Sequence, residues 1–412
     1  MKSAQIVRRF SFREWGGTES VVWNTAGQLT AAGDTVEILA TKALDSTPES
    51  VRDGVVIRRF DYCYPYFPMT AARRQALDKK GGNPVVPALR RYLEREPFDL
   101  LHCHNLGRLA VLSVLAARAR RAPCVMSFHG GCLDVPREEM REMLKPLRHT
   151  FPYGKILDKL SGADFDPLRH ADALLCVGRN ELELLRRQYP DRRVEYLPNG
   201  VDVARFAAAP QLDFRSRFGI PPARRILLSV SRIDYQKNQL ALLDVLAELR
   251  KPADSGDDWQ LVLIGPVTAG WYLEALRRKI AALQLAEFVT IIPGLPPDAP
   301  ELPAAYHAAT VFALPSRHEP FGIVILEAWA SGVPVTAAPA GGIPYLVADG
   351  ETGLLANPDR PKEFAGAIRR AERERIRLTR AAHAAVTADY TWMAIARKLQ
   401  SLYRELLQRP SR

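Results

Sequence analysis

Two glutamates on either side of a glycine make the segment Pro315–Leu346 the richest in candidate chemistry. Glu319 lies in a polar loop after an apolar run, and Glu327 lies eight residues further on, in an apolar stretch that begins near Gly322. A helix that starts near Gly322 would offer free amides and a positive dipole end to a phosphate, which glycine lets approach closely. Glu327 would then lie about 7 Å further along the axis, so that one carboxylate can hold hydroxyls on each side of a bound diphosphate. The alternative is that Glu319 caps the helix and Glu327 is a solvated or paired helix residue.

Three histidines follow apolar runs in the first half of the chain. His129 comes directly after Pro123–Phe128 and precedes two glycines, so we expect it at the edge of a sheet, where ligands of α/β folds bind. A structural hydrogen bond is the alternative role for this residue. His102 and His104 alternate at another strand end and are interpreted as packing residues, because three histidines without a carboxylate partner at ligand spacing do not make a metal site.

The elements that must position these residues alternate along the whole chain. Short β-branched or apolar runs are followed by amphipathic stretches, a pattern typical of parallel sheets flanked by helices. Strands are predicted first at Gln5–Arg8, Thr35–Thr41, Val55–Phe60, Asp99–His102, Pro123–Phe128, Ala173–Val177 and Val194–Leu197. After Val203–Ala223, interpreted as a connection between domains, they resume at Ile226–Ser231, Gln260–Ile264, Phe288–Ile292, Thr310–Leu314 and Val333–Ala337, with the clearest helix at Asn238–Arg250. We therefore predict an α/β protein with two Rossmann-like, doubly wound parallel-sheet domains that face each other across a cleft.

The composition is that of an ordinary globular protein, since 47% of the 412 residues are apolar and 25% are charged. No run approaches the ~20 apolar residues of a membrane span, and the N-terminal segment carries charges where a signal peptide needs its apolar core. We therefore expect a soluble protein that is not exported. The five cysteines are odd in number and form no CxxC pair, which argues against structural zinc and a disulfide framework.

The formal net charge of +11 is unevenly distributed, with +6 in residues 1–204, −2 in residues 205–358 and +7 in residues 359–412. A nucleic-acid-binding protein, the alternative from a different class, would concentrate this charge in a stripe with interleaved aromatic residues, which the sequence does not show. An anionic substrate or an anionic membrane surface remains open as the reason for the excess.

Several segments together resemble one enzyme family. The segment PSRHEPFGIVILEA, followed by GVPV and GGIP, is similar to the E-x7-E donor-site segment of family 4 retaining glycosyltransferases, which have the GT-B fold. SRIDYQKN resembles the Arg and Lys diphosphate clamp of that family, EWGGTE stands in place of its glycine-rich first loop, and SFHGG resembles its strand-end histidine. PNGVD and the segment around Trp392 resemble the loop that closes the first domain and the start of a terminal helix that crosses back to it. The resemblance covers essentially the whole chain.

The resemblance implies a role for each residue of the donor site. It assigns Glu319 to hydroxyls of the donor sugar, Glu327 to the ribose hydroxyls, and the backbone of Phe321, Gly322 and Ile323 to sugar and phosphate. The resemblance also assigns Arg232 and Lys237 to the diphosphate, whose negative charge they would neutralise. Arginine and lysine are strong anion donors, and a diphosphate leaving group needs charge stabilisation rather than a general acid.

In the first domain the resemblance places His129 near the anomeric carbon, in contact with the donor sugar or its phosphate. Gly16 and Gly17 would bring backbone amides to the donor phosphate or the acceptor, with an ordinary tight turn as the alternative. No DxD motif follows a strand, so no metal is expected. No convincing nucleophile is evident, so we expect front-face displacement in which a phosphate oxygen takes the acceptor proton. Two departures are Gly178, where the family commonly has serine, and Ser231, where glycine is frequent.

These observations predict a cytoplasmic hexosyltransferase that uses a nucleoside-diphosphate sugar, UDP- or GDP-linked, and no other cofactor. The acceptor would be a hydroxyl of a glycan, a lipid-linked or a small-molecule compound, with peripheral contact at the inner face of an anionic membrane as one option and no nucleic acid as partner. Residues 1–204 would form the acceptor-side domain, joined by a terminal helix at 392–412, and residues 205–391 the donor domain. The same-fold alternative is a nucleotide-sugar epimerase or hydrolase.

Overall fold

The computed structural model describes residues 1–13, 16–79, 81–130, 144, 147–251, 258–296 and 298–408. The chain divides into two compact units, which we call unit 1 and unit 2. Unit 1 comprises Met1–Pro198 together with Ile395–Arg412, and unit 2 comprises Asn199–Ala394. Unit 1 is therefore formed by two separate stretches of the chain.

Unit 1 is built on one largely parallel sheet. Its described strands are β1 (Lys2–Arg9), β2 (Thr35–Thr41), β3 (Glu49–Arg52), β4 (Val55–Phe60), β5 (Leu100–Cys103), β6 (Cys124–Phe128), β7 (Ala173–Cys176) and β8 (Val194–Tyr196). They lie in the order β3-β4-β2-β1-β5-β6-β7-β8, and β3 pairs antiparallel to β4 at one edge. Every residue of β5 and β7 is buried, as expected for short apolar strands with helices on both faces.

The helices of unit 1 connect these parallel strands and cover the sheet. They are α1 (Gly17–Ala31), α2 (Ala71–Lys79), α3 (Pro87–Arg95), α4 (Arg108–Arg120), α5 (Gly154–Leu160) and α6 (Arg179–Gln188), with a short 3₁₀ turn at Pro167–His170. Buried side chains on α1 and on the last part of the C-terminal helix pack with strand residues such as Val7 and Ile38 in one apolar cluster.

Unit 2 contains a fully parallel sheet of its own. Its described strands are β9 (Arg225–Val230), β10 (Trp259–Ile264), β11 (Val289–Ile292), β12 (Val311–Leu314), β13 (Val335–Ala337) and β14 (Leu354–Leu355), in the order β11-β10-β9-β12-β13-β14. The helices are α7 (Val203–Ala207), α8 (Phe214–Phe218), α9 (Gln239–Leu249), α10 (Gly270–Ala282), α11 (Glu301–Ala308), α12 (Ile323–Ala330), α13 (Ile343–Leu346), α14 (Pro361–Arg373) and α15 (Arg375–Asp389). Further 3₁₀ turns lie at Tyr235–Lys237 and Ala286–Phe288. Apolar residues of β9, β10 and α9 form the centre of this core.

The last described helix, α16 (Trp392–Gln408), begins in unit 2 and continues into unit 1. Its side chains Leu399, Leu402, Tyr403 and Leu406 are buried in the core cluster of unit 1. None of the helices within the described part of the chain combines the length and apolar character that crossing a membrane requires.

The predicted fold class, with two doubly wound α/β sheets, is confirmed by these topologies. The strand boundaries differ from the predicted ones by three residues at most. Two strands were missed, β3 and the two-residue β14. The stretch 203–223, interpreted as a connection, lies within unit 2 and contains α7 and α8, whose first turns are capped by the side chains of Asp202 and Asp213.

Candidate active site

The loop that joins β12 to α12 turns sharply at a glycine. Gly322 has φ +95° and ψ 58°, a left-handed conformation that glycine adopts without strain, and the helix begins at the next residue. The predicted helix start near Gly322 is thereby confirmed. The first amides of a helix have no intrahelical carbonyl partner, so this end of α12 can receive an anion.

A second pair of glycines fixes the path of the same loop. A Cβ on Gly341 would lie 2.3 Å from the carbonyl oxygen of Glu319, and one on Gly342 would lie 2.0 Å from the carbonyl oxygen of Pro320. The amide of Gly342 donates a hydrogen bond to the Glu319 carbonyl at 2.7 Å. The GGIP segment therefore packs backbone to backbone against the loop that carries Glu319, which explains why side chains are missing there.

The side chain of Glu319 pairs with Lys237. Lys237 Nζ lies 2.6 Å from Glu319 Oε2, and the two side chains are only 11% and 12% exposed. Lys237 ends the 3₁₀ turn at Tyr235–Lys237 after β9. Asp234 caps this turn, and its carboxylate accepts a hydrogen bond from the Lys237 amide. Two residues that were predicted from separate segments thus lie together, as a cation and a carboxylate near the N-terminus of α12.

Arg232 is placed beside this pair by a network of polar contacts. Its guanidinium lies 3.3 Å from Asp234 Oδ2 and donates to Gln236 Oε1 at 2.9 Å. Gln236 in turn donates to the carbonyl oxygen of His318, the residue before Glu319. The Arg232 side chain is 37% exposed, so its remaining N–H donors can reach an anion in solvent.

Glu327 lies on α12, one turn beyond its start, and is half-buried. Its Oε2 accepts a hydrogen bond from the hydroxyl of Tyr306 at 2.7 Å. Burial raises the pKa of the Glu327 carboxyl above its usual value, although the Tyr306 hydroxyl and the charge of Arg205 act in the opposite direction. Burial and the neighbouring carboxylate raise the pKa of Tyr306 as well. The assignment of Glu327 to ribose hydroxyls stays a prediction.

The side chain of Phe321 is buried, and its ring packs near that of Tyr390, with 6.2 Å between the ring centroids. Ile323, the first residue of α12, is half-buried. With the Phe321 side chain packed inside unit 2, this residue can contribute only its backbone to a ligand contact. That placement fits the predicted backbone contacts, which stay a prediction.

The candidate residues of unit 1 lie after β1 and after β6. Gly16 precedes α1 with extended backbone, and a Cβ on it would lie 2.7 Å from Oε2 of Glu19, a buried carboxylate paired with Arg9. A Cβ on Gly17 would meet nothing within 4 Å. A side chain at Gly16 would therefore displace the Glu19 carboxylate from its position beside Arg9, whereas one at Gly17 would displace nothing. Glu14 and Trp15, which precede them, lie outside the described residues.

His129 directly follows β6 and is half-buried. Its Nε2 lies 2.9 Å from Nδ1 of His104, and burial lowers the pKa of His129 to about 4. The predicted strand-end position is confirmed. His102 and His104 are buried, as predicted for packing residues, but both also form hydrogen bonds that sequence reasoning did not foresee. Within the described ranges, no group of three or more His, Cys, Asp or Glu side chains is arranged to hold a metal ion.

The sequence analysis missed the polar side chains that hold the predicted residues in place. Tyr306 binds Glu327, Gln236 connects Arg232 to the loop before Glu319, and Gln239 donates to the carbonyl oxygen of Arg232. The segment SRIDYQKN carried a signal for Gln236, which lies in the turn that follows β9, but not for Gln239, which is the first residue of α9. The sequence around Tyr306 carried no such signal. This residue belongs to the apolar face of α11, and only the folded chain brings its hydroxyl to Glu327 on α12.

Comparison with known proteins extends these observations. The family model described as "Glycosyl transferases group 1" matches residues 211–402, and that described as "Glycosyltransferase Family 4" matches residues 15–205. A GDP-mannose-dependent alpha-(1-6)-phosphatidylinositol monomannoside mannosyltransferase of Mycolicibacterium smegmatis is 36% identical over 283 residues, which cover 66% of this chain and 67% of the relative. A D-inositol 3-phosphate glycosyltransferase of Frankia alni is 32% identical over 413 residues, or 95% of both chains.

Two solved structures share the architecture. Sucrose-phosphate synthase from Thermosynechococcus elongatus superposes with a TM-score of 0.72 at 23% identity and covers 98% of both chains. Anabaena HepE, solved in complex with UDP and glucose, superposes with a TM-score of 0.71 at 20% identity and covers 98% of this chain and 100% of its own. At this level of identity the likeness concerns the fold.

The two units, shared over nearly the full chain with these structures, are those of the GT-B fold. The protein is an enzyme that transfers sugars. The chain belongs to glycosyltransferase family 4. The named relatives support a hexosyltransferase and disfavour the epimerase or hydrolase alternative.

Proposed function

We propose that the protein is a retaining hexosyltransferase that takes its sugar from a GDP- or UDP-hexose without a metal ion. The observation that carries this proposal is the buried Lys237–Glu319 pair beside the N-terminus of α12. A sugar diphosphate needs a cation for the leaving phosphate and a carboxylate for the sugar hydroxyls, and the pair supports the proposal that Lys237 and Glu319 have these two roles. We assign the donor to a domain at 205–391, which lies within unit 2, and the acceptor to residues 1–204 with the terminal helix at 392–412.

In this proposal each donor-site residue has one task. Arg232 and Lys237 neutralise the diphosphate as its charge develops. When the donor binds, the Glu319 carboxylate exchanges its contact with Lys237 for contacts with the hydroxyls of the hexose. The backbone of Phe321, Gly322 and Ile323 contacts the sugar and the phosphate, and these contacts need no side chain. Glu327 holds the ribose hydroxyls, with Tyr306 fixing the carboxylate.

The proposed chemical step is a front-face displacement. The bond between the anomeric carbon and the phosphate oxygen breaks, and the electron pair leaves with the nucleoside diphosphate. The acceptor oxygen bonds to the anomeric carbon on the same face, and its proton passes to an oxygen of the departing phosphate. Because the acceptor attacks the face from which the diphosphate departs, configuration is retained in one step, and no protein nucleophile takes part. A glycosyl-enzyme adduct trapped in mass spectra would contradict this step.

We propose a phosphorylated inositol, free or carried on a lipid, as the acceptor class. Both named relatives act on inositol compounds, one on a phosphatidylinositol mannoside and the other on inositol 3-phosphate. The positive charge of residues 1–204 suits an acceptor that carries phosphate. Product analysis with inositol 3-phosphate and with a phosphatidylinositol mannoside in detergent separates the free acceptor from the lipid-linked one.

A contact with the inner face of an anionic membrane is proposed for a surface that we call the α5 patch. It comprises the exposed apolar side chains Phe67, Phe151, Ile156, Leu157 and Leu160. The exposed Lys155 and Lys159 lie on the same helix, and its Asp158 is paired with Arg108. Exposed apolar side chains with neighbouring cations are the pattern of an interfacial surface. We expect co-sedimentation with vesicles of anionic lipid, loss of it in Leu160→Asp, and no binding to vesicles of neutral lipid.

The donor site is tested by three single variants. Arg232→Ala, Lys237→Ala and Glu319→Ala should each lower kcat/KM at least about tenfold, because each removes a charge-assisted contact. Lys251→Ala is the matched control, since this lysine forms an exposed pair with Glu248 on the same unit. Full activity in all three variants, with the expected glycoside as product, would refute the assignment of the site.

The donor itself is identified by thermal shift, since a ligand that binds only the native state raises its Tm. We expect the largest rise with GDP or UDP and their hexose derivatives. The rise should persist in a chelating buffer. Nuclear magnetic resonance of the product then shows whether the anomeric configuration of the donor is kept, and an inverted product would refute the retaining mechanism.

A further inference from the structure

A buried chain of hydrogen bonds in unit 1 ends at His129. It starts at Gln5 on β1, which pairs in register with His102 on β5. Gln5 Oε1 lies 2.9 Å from Nε2 of His104, and His104 Nδ1 lies 2.9 Å from Nε2 of His129. The planes of the two imidazoles are 17° apart, so an N–H of one ring can point at the lone pair of the other. Gln5 and His104 are 0% and 5% exposed, which removes water as a competing partner.

The other end of the Gln5 amide is held by the C-terminal helix. Gln5 Nε2 donates to the hydroxyl of Tyr403 at 3.2 Å, and more weakly to Ser3 Oγ at 3.4 Å. The Tyr403 oxygen lies 2.5 Å from Nδ1 of His102, whose Nε2 lies 2.6 Å from Ser127 Oγ. Tyr403 thus connects the amide to a second histidine.

These contacts determine which nitrogen of each ring carries the proton. An amide oxygen can only accept, so His104 must donate from Nε2 to Gln5. A neutral His104 then has a lone pair on Nδ1, which requires His129 to donate from Nε2. Burial favours the neutral form of all three histidines, because it lowers the pKa of His102 to about 3, that of His129 to about 4 and that of His104 well below its usual value. His129 Nδ1 is left as a lone pair, and it has no hydrogen-bond partner among the described residues.

The opposite orientation of the Gln5 amide would reverse this outcome. An amide nitrogen facing His104 would donate to it, His104 would donate to His129, and His129 would carry its proton on Nδ1. That nitrogen is buried, and an unpaired buried N–H is among the rarest features of folded proteins, whereas an unpaired acceptor is better tolerated. The orientation with the Gln5 nitrogen toward Tyr403 and Ser3 also gives partners to both of its hydrogens.

We propose that Gln5, His104 and Tyr403 are positioning residues that hold His129 in the tautomer with a bare Nδ1. Resting on the proposed function, any hydrogen bond that His129 Nδ1 forms once the donor is bound is one that it accepts, from a sugar hydroxyl and not from a deprotonated phosphate oxygen, which offers no proton. The resemblance left contact with sugar and contact with phosphate both open. The direction of the hydrogen bonds in this chain favours contact with the sugar over contact with the phosphate. The C-terminal helix takes part in this selection through Tyr403, although the Tyr403 hydroxyl binds Gln5 and His102 rather than His129.

Nitrogen-15 resonance of the histidine side chains tests the tautomer in the full-length protein without any substrate. The eight histidines are labelled, and the signals of His129 are assigned by their loss in His129→Asn. We expect a shift typical of an unprotonated nitrogen at Nδ1 and of a protonated one at Nε2. A protonated Nδ1 in the wild-type protein would overturn the proposal whether or not the enzyme transfers sugars.

Two variants test how the tautomer is set. In Tyr403→Phe the Gln5 amide loses its main acceptor, and in Gln5→Leu the amide is gone, so both His129 nitrogens should move toward averaged shifts. Tyr189→Phe is the control, because this buried tyrosine of unit 1 binds Asp166 instead of the histidines. Unchanged His129 shifts in Tyr403→Phe would overturn the proposal, and this conservative variant decides the matter even where Gln5→Leu does not fold.

A kinetic measurement separates positioning from a merely structural role. In Tyr403→Phe, kcat should fall in proportion to the fraction of molecules that leave the native tautomer, about twofold when the two tautomers become equal. The dissociation constant of the nucleoside diphosphate should not change, because its proposed contacts lie in unit 2. A normal kcat despite mixed tautomers would overturn the catalytic part of the proposal. A wild-type protein without transferase activity but with the expected tautomer would instead reject the proposed function alone.

Discussion

The contact between the GGIP segment and the glutamate loop gives the most direct prediction. In Gly342→Ala the new Cβ would lie 2.0 Å from the carbonyl oxygen of Pro320, more than an ångström inside ordinary contact. The backbone of Gly342 is right-handed helical, with φ −82° and ψ −12°, which alanine adopts freely, so the effect is one of space alone. Because the clash involves two backbones, no side-chain rotation relieves it, and the loop carrying Glu319 must move. Overpacking of this kind costs about 1–3 kcal/mol.

We expect two measurable results from this substitution. A shift of about 1 Å in a catalytic loop can cost about 10²-fold in rate, so kcat/KM should fall by that order. The Tm of unit 2, whose size lies in the range of about 150–250 residues, should fall by about 2–4 °C for each kcal/mol of strain. Gly366→Ala is the matched control, because Gly366 lies in α14 with nothing within 4 Å of its Cβ position, and alanine should stabilise the helix by about 1 kcal/mol. Wild-type activity and an unchanged Tm in Gly342→Ala would refute the proposed backbone packing.

Three further predictions follow from the charges of the two units. Lys237→Met leaves Glu319 nearly buried without its cation and should cost about 2 kcal/mol or more by denaturant unfolding, whereas the double variant with Glu319→Gln should cost less while remaining inactive. Glu327→Gln should raise the Tm more at neutral pH than below ~4.3, because a raised pKa means that ionising Glu327 destabilises the fold as pH rises; an equal effect at both pH values would contradict this. His102 and His129, with pKa values of about 3 and about 4, are neutral in the fold and gain protons on unfolding, so stability should fall as pH drops below about 6.5. Calorimetry in buffers of different ionisation enthalpy measures that proton uptake, and its absence would contradict the burial of the histidines.

The regular elements were predictable because their local pattern agrees with the fold. β2 and β4 were predicted with their observed bounds, since both are runs of β-branched and apolar residues between polar turns. β3, with the sequence ESVR, is an exposed edge strand without an apolar run, and it pairs only because β4 offers it a partner. β14 has only two residues, which is too short for any periodicity to show.

The site was predictable in its charged residues and not in the residues that orient them. Glu319 and Lys237 occur in segments whose spacing resembles a known family, so each was found from its neighbours in sequence. Gln5 and Tyr403 are 398 residues apart, and neither stands in a motif. Their hydrogen bond exists only because the last helix of the chain packs on the first strand. Sequence reasoning from local spacing has no means of detecting such a pair.

The C-terminal helix has a consequence for how the protein is made. Leu399, Leu402 and Tyr403 belong to the core of unit 1, yet they follow unit 2 along the chain and are translated after it. Domains usually fold in the order in which they are synthesised. Here the first unit to be translated waits for α16, so its core cluster lacks Leu399, Leu402 and Tyr403 while unit 2 is being synthesised. A ribosome that stops short of α16 therefore releases a chain whose second unit can be folded and whose first cannot be finished.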